Sequence, residues 1–380
     1  MKNVVIAGYC RSPFTPARKG RLASVRPDDY AAQVVRGLID KTGVRPEDIE
    51  DLILGCAFPE GEQGLNLGRL LVRLAGMPLS VAGMTVNRFC GSSMAAIHIA
   101  AGAIQLGAGE AFICAGVESM TRIPMGGFNL MPNPGLYASE PQLYMSMGET
   151  AENLARKYYI DRSAQEAFAL TSQQKAFAAQ QKGLFADEII PIESPENGRI
   201  DSDGCIRPET SLEELAKLPP SFLEDGSITA GTSSPLTDGA AAVLVCSEAY
   251  ADANGLQKLA RIVAMAVSAC QPEIMGIGPV SASRKALQRA GLTLDDMDVV
   301  ELNEAFAAQV LAVLNDLPVP MEKLNLDGGA IALGHPLGAS GARITGKAAS
   351  LLKREGRRFA LATQCIGGGQ GIATILEAVS

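Results

Sequence analysis

The 380-residue chain has no tryptophan and only two histidines, His98 and His335, so any chemistry that needs an imidazole has two candidates. Its eight cysteines (Cys10, Cys56, Cys90, Cys114, Cys205, Cys246, Cys270 and Cys365) include no C-x-x-C pair, and no Cys/His cluster has the spacing of a zinc site. Structural zinc and a disulfide scaffold are both disfavoured. Most of these cysteines sit in apolar contexts, as Cys56 does after Leu52-Ile53-Leu54-Gly55 and Cys246 after Val243-Leu244-Val245. They read as small buried hydrophobes in a reducing compartment. No basic run stands out, and the formal net charge is −8, which gives no support to nucleic-acid binding. An anionic small ligand would need local cations. No apolar run approaches the ~18 residues of a membrane span. The apolar stretch near the N-terminus is too short for a signal peptide and reads as a first strand. A soluble, cytoplasmic protein with no bound metal and no membrane partner is expected.

What is present points to an α/β protein. The chain is 47% hydrophobic and 19% charged, and its 40 glycines suit close helix–sheet contacts. The length suggests about two to three domains. Compared with itself, the sequence repeats. Leu38 to Ile49 and Leu287 to Met297 each run from a helical pattern through a glycine and an acidic turn to a strand, and their glycines, Gly43 and Gly291, stand 248 positions apart. At the same offset the small-residue helix Gly91–Gln105 falls on Ala339–Lys353, and the strand Ala111–Cys114 falls on Phe359–Ala362. Chance rarely keeps one offset across three elements. Further on, Asp238–Val243 matches Gln370–Ile375 at an offset of 132, so the first half carries 116 extra residues, roughly between 120 and 236. The expected organisation is a first half at 1–120 and 229–250, an inserted loop domain at 121–228, and a second half at 251–380. The insertion opens with a Met-, Pro- and Gly-containing stretch from Met120 to Gly135. A helical stretch, Glu149 to Lys182, follows, then a polar run from Pro191 to Pro220. A lid or ligand-binding role suits such an insertion, with a dimer contact or a surface elaboration as the alternative.

Three segments carry chemistry. In Asn87-Arg88-Phe89-Cys90-Gly91-Ser92-Ser93, Cys90 falls between a strand and the start of a buried helix, where the helix dipole would lower its pKa from about 8.5. His335 stands in the glycine-rich turn Gly328–Gly341, which would expose its imidazole as a general base needs. By the 248 offset, Gly338 of that turn occupies the position of Cys90, so thiol and imidazole would face each other across the two halves. His98, inside the helix behind Cys90, reads as a satisfied core or interface side chain. Cys365 precedes Gly367-Gly368-Gly369-Gln370-Gly371. These glycines do not read as a phosphate loop, because a strand and not a helix follows them. They present a thiol and free backbone N–H groups. Taken singly, each segment has a purely structural alternative.

Together with Asn303-Glu304-Ala305-Phe306, these segments resemble the motif set of the thiolase family, the acyl-CoA acetyltransferases and 3-ketoacyl-CoA thiolases, over essentially the full length. The resemblance implies the thiolase fold, two duplicated α/β halves in a five-layered arrangement with an inserted loop domain, and a homodimer or homotetramer. It implies that Cys90 takes the acyl group and His335 activates it, while Cys365 exchanges a proton with the methyl carbon of acetyl-CoA. Asn303, with His335, would hold one oxyanion through a water, and the N–H groups of Cys90 and Gly367 would hold a second. For CoA, a co-substrate rather than a cofactor, it implies Arg207 near the adenine, with Lys217 as a second cation. Phe222 and Ala230 would line the tunnel and Ser234 would bond the pantetheine, with Met147, Ala305 and Phe306 around the thioester.

Two departures bear on specificity. Acetoacetyl-CoA-forming members carry His ahead of the Met-Gly that corresponds to Met147-Gly148, and this chain has Ser146, which favours thiolytic cleavage of 3-ketoacyl-CoA with a broader acyl pocket over a strict C4 enzyme. The usual basic residue before Pro-Ala-Phe is here Pro219, ahead of Pro220-Ser221-Phe222. A decarboxylating ketoacyl synthase would place His or Asn where Cys365 stands. A non-catalytic acyl-CoA carrier could lose the second thiol without harm, yet both thiols and the His are present.

Overall fold

The structure, a computed structural model, describes residues 2–379. In chain order its main elements are β1 (Val4–Arg11), α1 (Pro27–Thr42), β2 (Ile49–Gly55), α2 (Leu67–Leu74), β3 (Ala82–Val86), α3 (Ser92–Gln105) and β4 (Ala111–Ser119). The insertion then supplies α4 (Met147–Lys157) and α5 (Arg162–Gln181). After it come β5 (Thr237–Ser247), β6 (Ala260–Ala269), α6 (Gly278–Ala290), β7 (Val299–Leu302), α7 (Ala307–Asp316), α8 (Leu337–Arg354), β8 (Phe359–Ile366) and β9 (Gln370–Glu377).

The strands follow one path, β7-β8-β9-β6-β1-β5-β4-β2-β3. From the β1/β6 contact outward, each half repeats the same order: β1-β5-β4-β2 on one side, β6-β9-β8-β7 on the other. The directions repeat as well, with β4 parallel to β2 and β8 parallel to β7, and antiparallel pairing elsewhere in each set. Among the described residues, strand pairing joins the two sets only through Val5↔Arg261 and Ile6↔Ala260, so the path can bend there. The repeat extends to caps: α1 and α6 end on Gly43 and Gly291, at φ 69° and 67°, a left-handed turn that glycine enters without a Cβ penalty.

Burial sorts the elements into five layers. One core lies between α1 and α2 and the outer face of the first half, and another between α6 and α7 and the outer face of the second. The central core gathers α3 and α8 between the two inner faces. All eight residues of β1 are buried because the strand is covered on both faces. Val5, Ala7 and Cys10 face the outer core, and Val4, Ile6 and Tyr9 the central one; the change of parity falls at the bulge between Ile6 and Gly8.

The two central helices meet at their N-terminal ends. A Cβ on Gly341 would lie 2.4 Å from the backbone N of Met94, and one on Gly338 would lie 2.4 Å from the carbonyl O of Val117. Only glycine permits this approach. Ala342 N donates to Ser93 Oγ at 2.8 Å across the contact.

In the insertion, the single helical stretch expected over Glu149–Lys182 is two helices. α4 ends at Lys157 with Tyr158 as its cap, Tyr159 turns to φ 54°, and Asp161 restarts the chain by capping Ala164 N at 2.8 Å. The polar run from Pro191 holds a small hairpin, Ile192–Ser194 with Gly198–Ile200. Buried charge ties the insertion to both halves. Asp203 takes two hydrogen bonds from Arg11 of β1, at 2.7 and 2.8 Å. Glu188 accepts from Arg11 Nε at 2.8 Å and from Lys347 of α8 at 2.9 Å. Among the described residues no helix is long and apolar enough to cross a membrane, and no cluster of His, Cys, Asp and Glu could hold a metal ion.

Candidate active site

The chain between β3 and α3 is a tight turn pinned by its own side chains. Asn87 Oδ1 accepts from Phe89 N at 2.8 Å, Ser92 Oγ accepts from Arg88 N at 2.9 Å and donates to Phe89 O at 2.6 Å, and Asn87 Nδ2 donates to Ala57 O at 2.9 Å. The result is Phe89 at φ 42°, a strained setting for a bulky residue, immediately before Cys90.

Cys90 is buried, and its sulfur receives the N–H groups of Gly367 and of Cys90 itself. The helix was expected to lower its pKa, but the thiol is pushed up to about 11, first by burial. Desolvation of a thiolate outweighs the two N–H groups and a helix that starts two residues later, at Ser92, and the Glu118 carboxylate adds to the rise. Cys90 O accepts from Gln364 Nε2. Cys365, at the end of β8, is buried with its thiol well above the usual range, through burial and then its neighbours Cys90 and Cys270. Gly367 packs beside Met147 and Phe89, whose Sδ and Cδ2 atoms lie 3.3 and 3.7 Å from where a Cβ would sit.

His335 was expected to be exposed by its turn, but it is only 5% exposed, because the turn folds inward between β5 and α8. Its N–H donates to Thr237 Oγ1 at 3.0 Å, Nδ1 lies 2.5 Å from Ser340 Oγ, and Nε2 lies 3.3 Å from Asn303 Nδ2. Burial, and secondly the Arg343 cation, lower its pKa to about 3, so the imidazole is neutral at pH 7. Asn303 is fixed by its backbone N–H to Thr363 O at 3.0 Å.

The meeting of α3 and α8 brings the Cys90 and His335 turns together, and Glu118 holds that junction. This buried carboxylate accepts from Ala57 N at 2.8 Å, Gln63 Nε2 at 2.8 Å and Gly338 N at 2.9 Å. Glu118, Ser340, Thr237 and Gln364 escaped the sequence reading. The only signals were a lone carboxylate closing the apolar strand Ala111–Ser119 and a serine five residues after His335.

Of the candidate CoA residues, Met147, Ala305 and Phe306 cluster with Cys365. Phe222 stands edge-on to Phe306 at 5.8 Å, and Ser234 donates from both N and Oγ to Ala305 O, at 3.0 and 3.1 Å. Ala230 is exposed on the neighbouring loop. Arg207 is also exposed, its backbone N–H held by Gln173 Oε1 at 2.8 Å, and Lys217 is paired with Glu213 and Glu214. Ser146, the position that departs from the His-bearing pattern, caps α4 in a box with Glu149. His98 makes the satisfied contact expected of it, Nε2 to Thr374 Oγ1 at 2.8 Å.

Two matching halves that enclose a strained turn with a buried thiol, a second thiol and a neutral imidazole define the class, and this chain belongs to the thiolase family. The family profile described as thiolase, N-terminal domain, matches residues 4–249, and the one described as thiolase, C-terminal domain, matches residues 256–378. Among curated relatives, a 3-ketoacyl-CoA thiolase of Pseudoalteromonas translucida (strain TAC 125) is 50% identical, with 100% of this chain and 100% of the relative covered. A 3-ketoacyl-CoA thiolase of Bacillus subtilis (strain 168) is 45% identical, with 99% and 100% covered. Among solved structures, human mitochondrial 3-ketoacyl-CoA thiolase in complex with CoA matches with a TM-score of 0.91 and 40% identity, covering 100% of this chain and 98% of that one. The Bacillus anthracis acetyl-CoA acetyltransferase matches with a TM-score of 0.92 and 40% identity, covering 100% and 99%.

Proposed function

We propose that this protein is an acyltransferase that cleaves 3-ketoacyl-CoA with CoA, giving acetyl-CoA and a shortened acyl-CoA through an acyl-Cys90 intermediate. The observation that carries this is the convergence at one buried point of two thiols, Cys90 and Cys365, with two N–H groups directed at the first. His335 Nε2 takes the Cys90 proton as sulfur attacks the C3 carbonyl, and the N–H groups of Cys90 and Gly367 stabilise the alkoxide. The C2–C3 bond then breaks, and its electron pair forms the enolate of acetyl-CoA, held by His335 and, through a water, by Asn303. Cys365 gives its proton to C2 and acetyl-CoA leaves. CoA attacks the acyl-Cys90 thioester, its thiol proton restores Cys365, and the His335 proton returns to Cys90 as acyl-CoA departs. Every proton is returned and no cofactor enters the cycle.

CoA would run from Arg207 at the adenine, past Phe222, Ala230 and Ser234, to Met147, Ala305 and Phe306. We assign residues 1–120 and 229–250 to the first half, 121–228 to the CoA-binding insertion and 251–380 to the second half. We place the protein in the cytoplasm as a homodimer or homotetramer; the assembly is consistent with the edge strand β3, which is only partly covered and lies near the exposed Leu65, Leu70, Leu74 and Leu79.

CoA-dependent cleavage of a 3-ketoacyl-CoA series from C4 to C16, followed by loss of enol absorbance, tests the assignment. Activity well beyond C4 is expected. Activity confined to C4 would make the protein an acetoacetyl-CoA thiolase, the reading favoured by its likeness to the B. anthracis acetyltransferase. No activity at any length would return the condensing-synthase and carrier readings.

A further inference from the structure

We infer that Ser340 is the positioning residue that sets the tautomer of His335, keeping the proton on Nδ1 and the lone pair on Nε2, the atom that must receive the Cys90 proton. The inference rests on the thiolase chemistry proposed above only for its consequence, not for its geometry. Ser340 Oγ lies 2.5 Å from His335 Nδ1 and 3.1 Å from Pro336 O. Pro336 O can only accept, and the Ser340 hydroxyl is placed to donate to it. With its proton directed to Pro336 O, the Ser340 oxygen accepts from the ring and Nδ1 carries the hydrogen. On the other side of the ring, Nε2 faces the Asn303 amide nitrogen at 3.3 Å. With the amide placed this way, a lone pair at Nε2 accepts from Asn303, whereas an N–H there would set donor against donor. The backbone fixes the pieces: Ser340 lies in the first turn of α8, and Thr237 Oγ1 anchors His335 N while donating to Pro235 O at 2.6 Å. The serine thus does the orienting work that a carboxylate does in other nucleophile–imidazole pairs, without adding a negative charge that would hold a proton on the imidazole.

A chain with only two histidines makes the test direct. Long-range proton–nitrogen correlation spectra of the full-length protein labelled with 15N-histidine at pH 7, assigned with a His98→Asn variant, report which nitrogen of His335 is protonated. The expected result is a neutral ring with the proton on Nδ1. In Ser340→Ala the Nε2–H form should appear, and the acetylation rate of Cys90 from acetyl-CoA should fall roughly 10- to 100-fold, by analogy with the loss of the partner that orients a metal-bound imidazole. KM for CoA should hold, and Ser340→Thr should restore both tautomer and rate. Wild-type protein with the proton on Nε2 would overturn the inference, and so would Ser340→Ala acylating at the full rate with Nδ1 still protonated. The wild-type spectrum decides the matter even if the alanine variant does not fold. A Cys90→Ser variant that still turned over would remove the acyl-enzyme reading while leaving the tautomer result standing.

Discussion

Cys90 rests as a thiol, and this changes how its activation must be understood. Burial holds its pKa at about 11 and that of His335 at about 3, so a standing thiolate–imidazolium pair is disfavoured at neutral pH. In the proposed cycle, proton transfer to Nε2 is then coupled to attack on the bound substrate, where the two N–H groups meet a developing alkoxide. Because the thiolate fraction rises tenfold per pH unit below the pKa, alkylation of Cys90 by iodoacetamide in the substrate-free enzyme should climb about tenfold per unit from pH 7 to 10 without a plateau. Peptide mass mapping, with Cys90→Ser as the control, follows the site. A plateau below pH 8 would show that the helix end and the N–H groups had outweighed burial after all.

At the scale of elements, the helix ends carry the argument. Ser146 bears on substrate specificity in the sequence, yet in the structure its hydroxyl and Glu149 close the first turn of α4. Replacing it with alanine removes the cap, so Ser146→Ala should lose about 1 kcal/mol of stability in urea titrations while the C4-to-C16 activity profile keeps its shape. A changed profile would give Ser146 a direct part in acyl selection. The two helices read as one belong to the same lesson. The apolar spacing of Ala151, Leu154, Ala155 and Tyr158 was visible, but the break at Tyr159 is made by a left-handed residue that no spacing announces.

For the whole molecule, buried imidazoles impose an acid limit. A histidine with a folded-state pKa of about 3 and an unfolded value near 6.5 contributes stability that is complete above pH 6.5 and is lost as pH falls toward 3, because the unfolded chain binds the proton first. For His335 the loss is about 1.4 kcal/mol per pH unit inside that window. His98 is also lowered to about 3, but part of the residue reaches the surface, so its share is smaller. The pH slope of unfolding free energy between pH 6 and 4 should therefore flatten by about that amount in His335→Asn and by less in His98→Asn. Equal slopes in all three proteins would mean that His335 takes up its proton in the folded state.

The sequence by itself determined the duplication, and it singled out the chemical groups that the proposed cycle uses. A 248-residue offset survives in residue types because both halves must fill the same layers, and Gly43 and Gly291 mark equivalent left-handed turns. Cys90, His335 and Cys365 stood out as candidates because few other residue types do such chemistry, while Asn303 entered through the family resemblance. The tertiary structure alone decided the protonation states, since burial depends on what the rest of the chain stacks above a side chain: a thiol expected to be acidic is not, and an imidazole expected to be exposed is buried. It alone also supplied the supports. Glu118 reaches Gly338 from 220 positions away, and Gln364 reaches Cys90 from 274. Such partners meet only when β4, β8 and the two central helices are packed, because a hydrogen bond is set by distance in space and leaves no spacing along the chain.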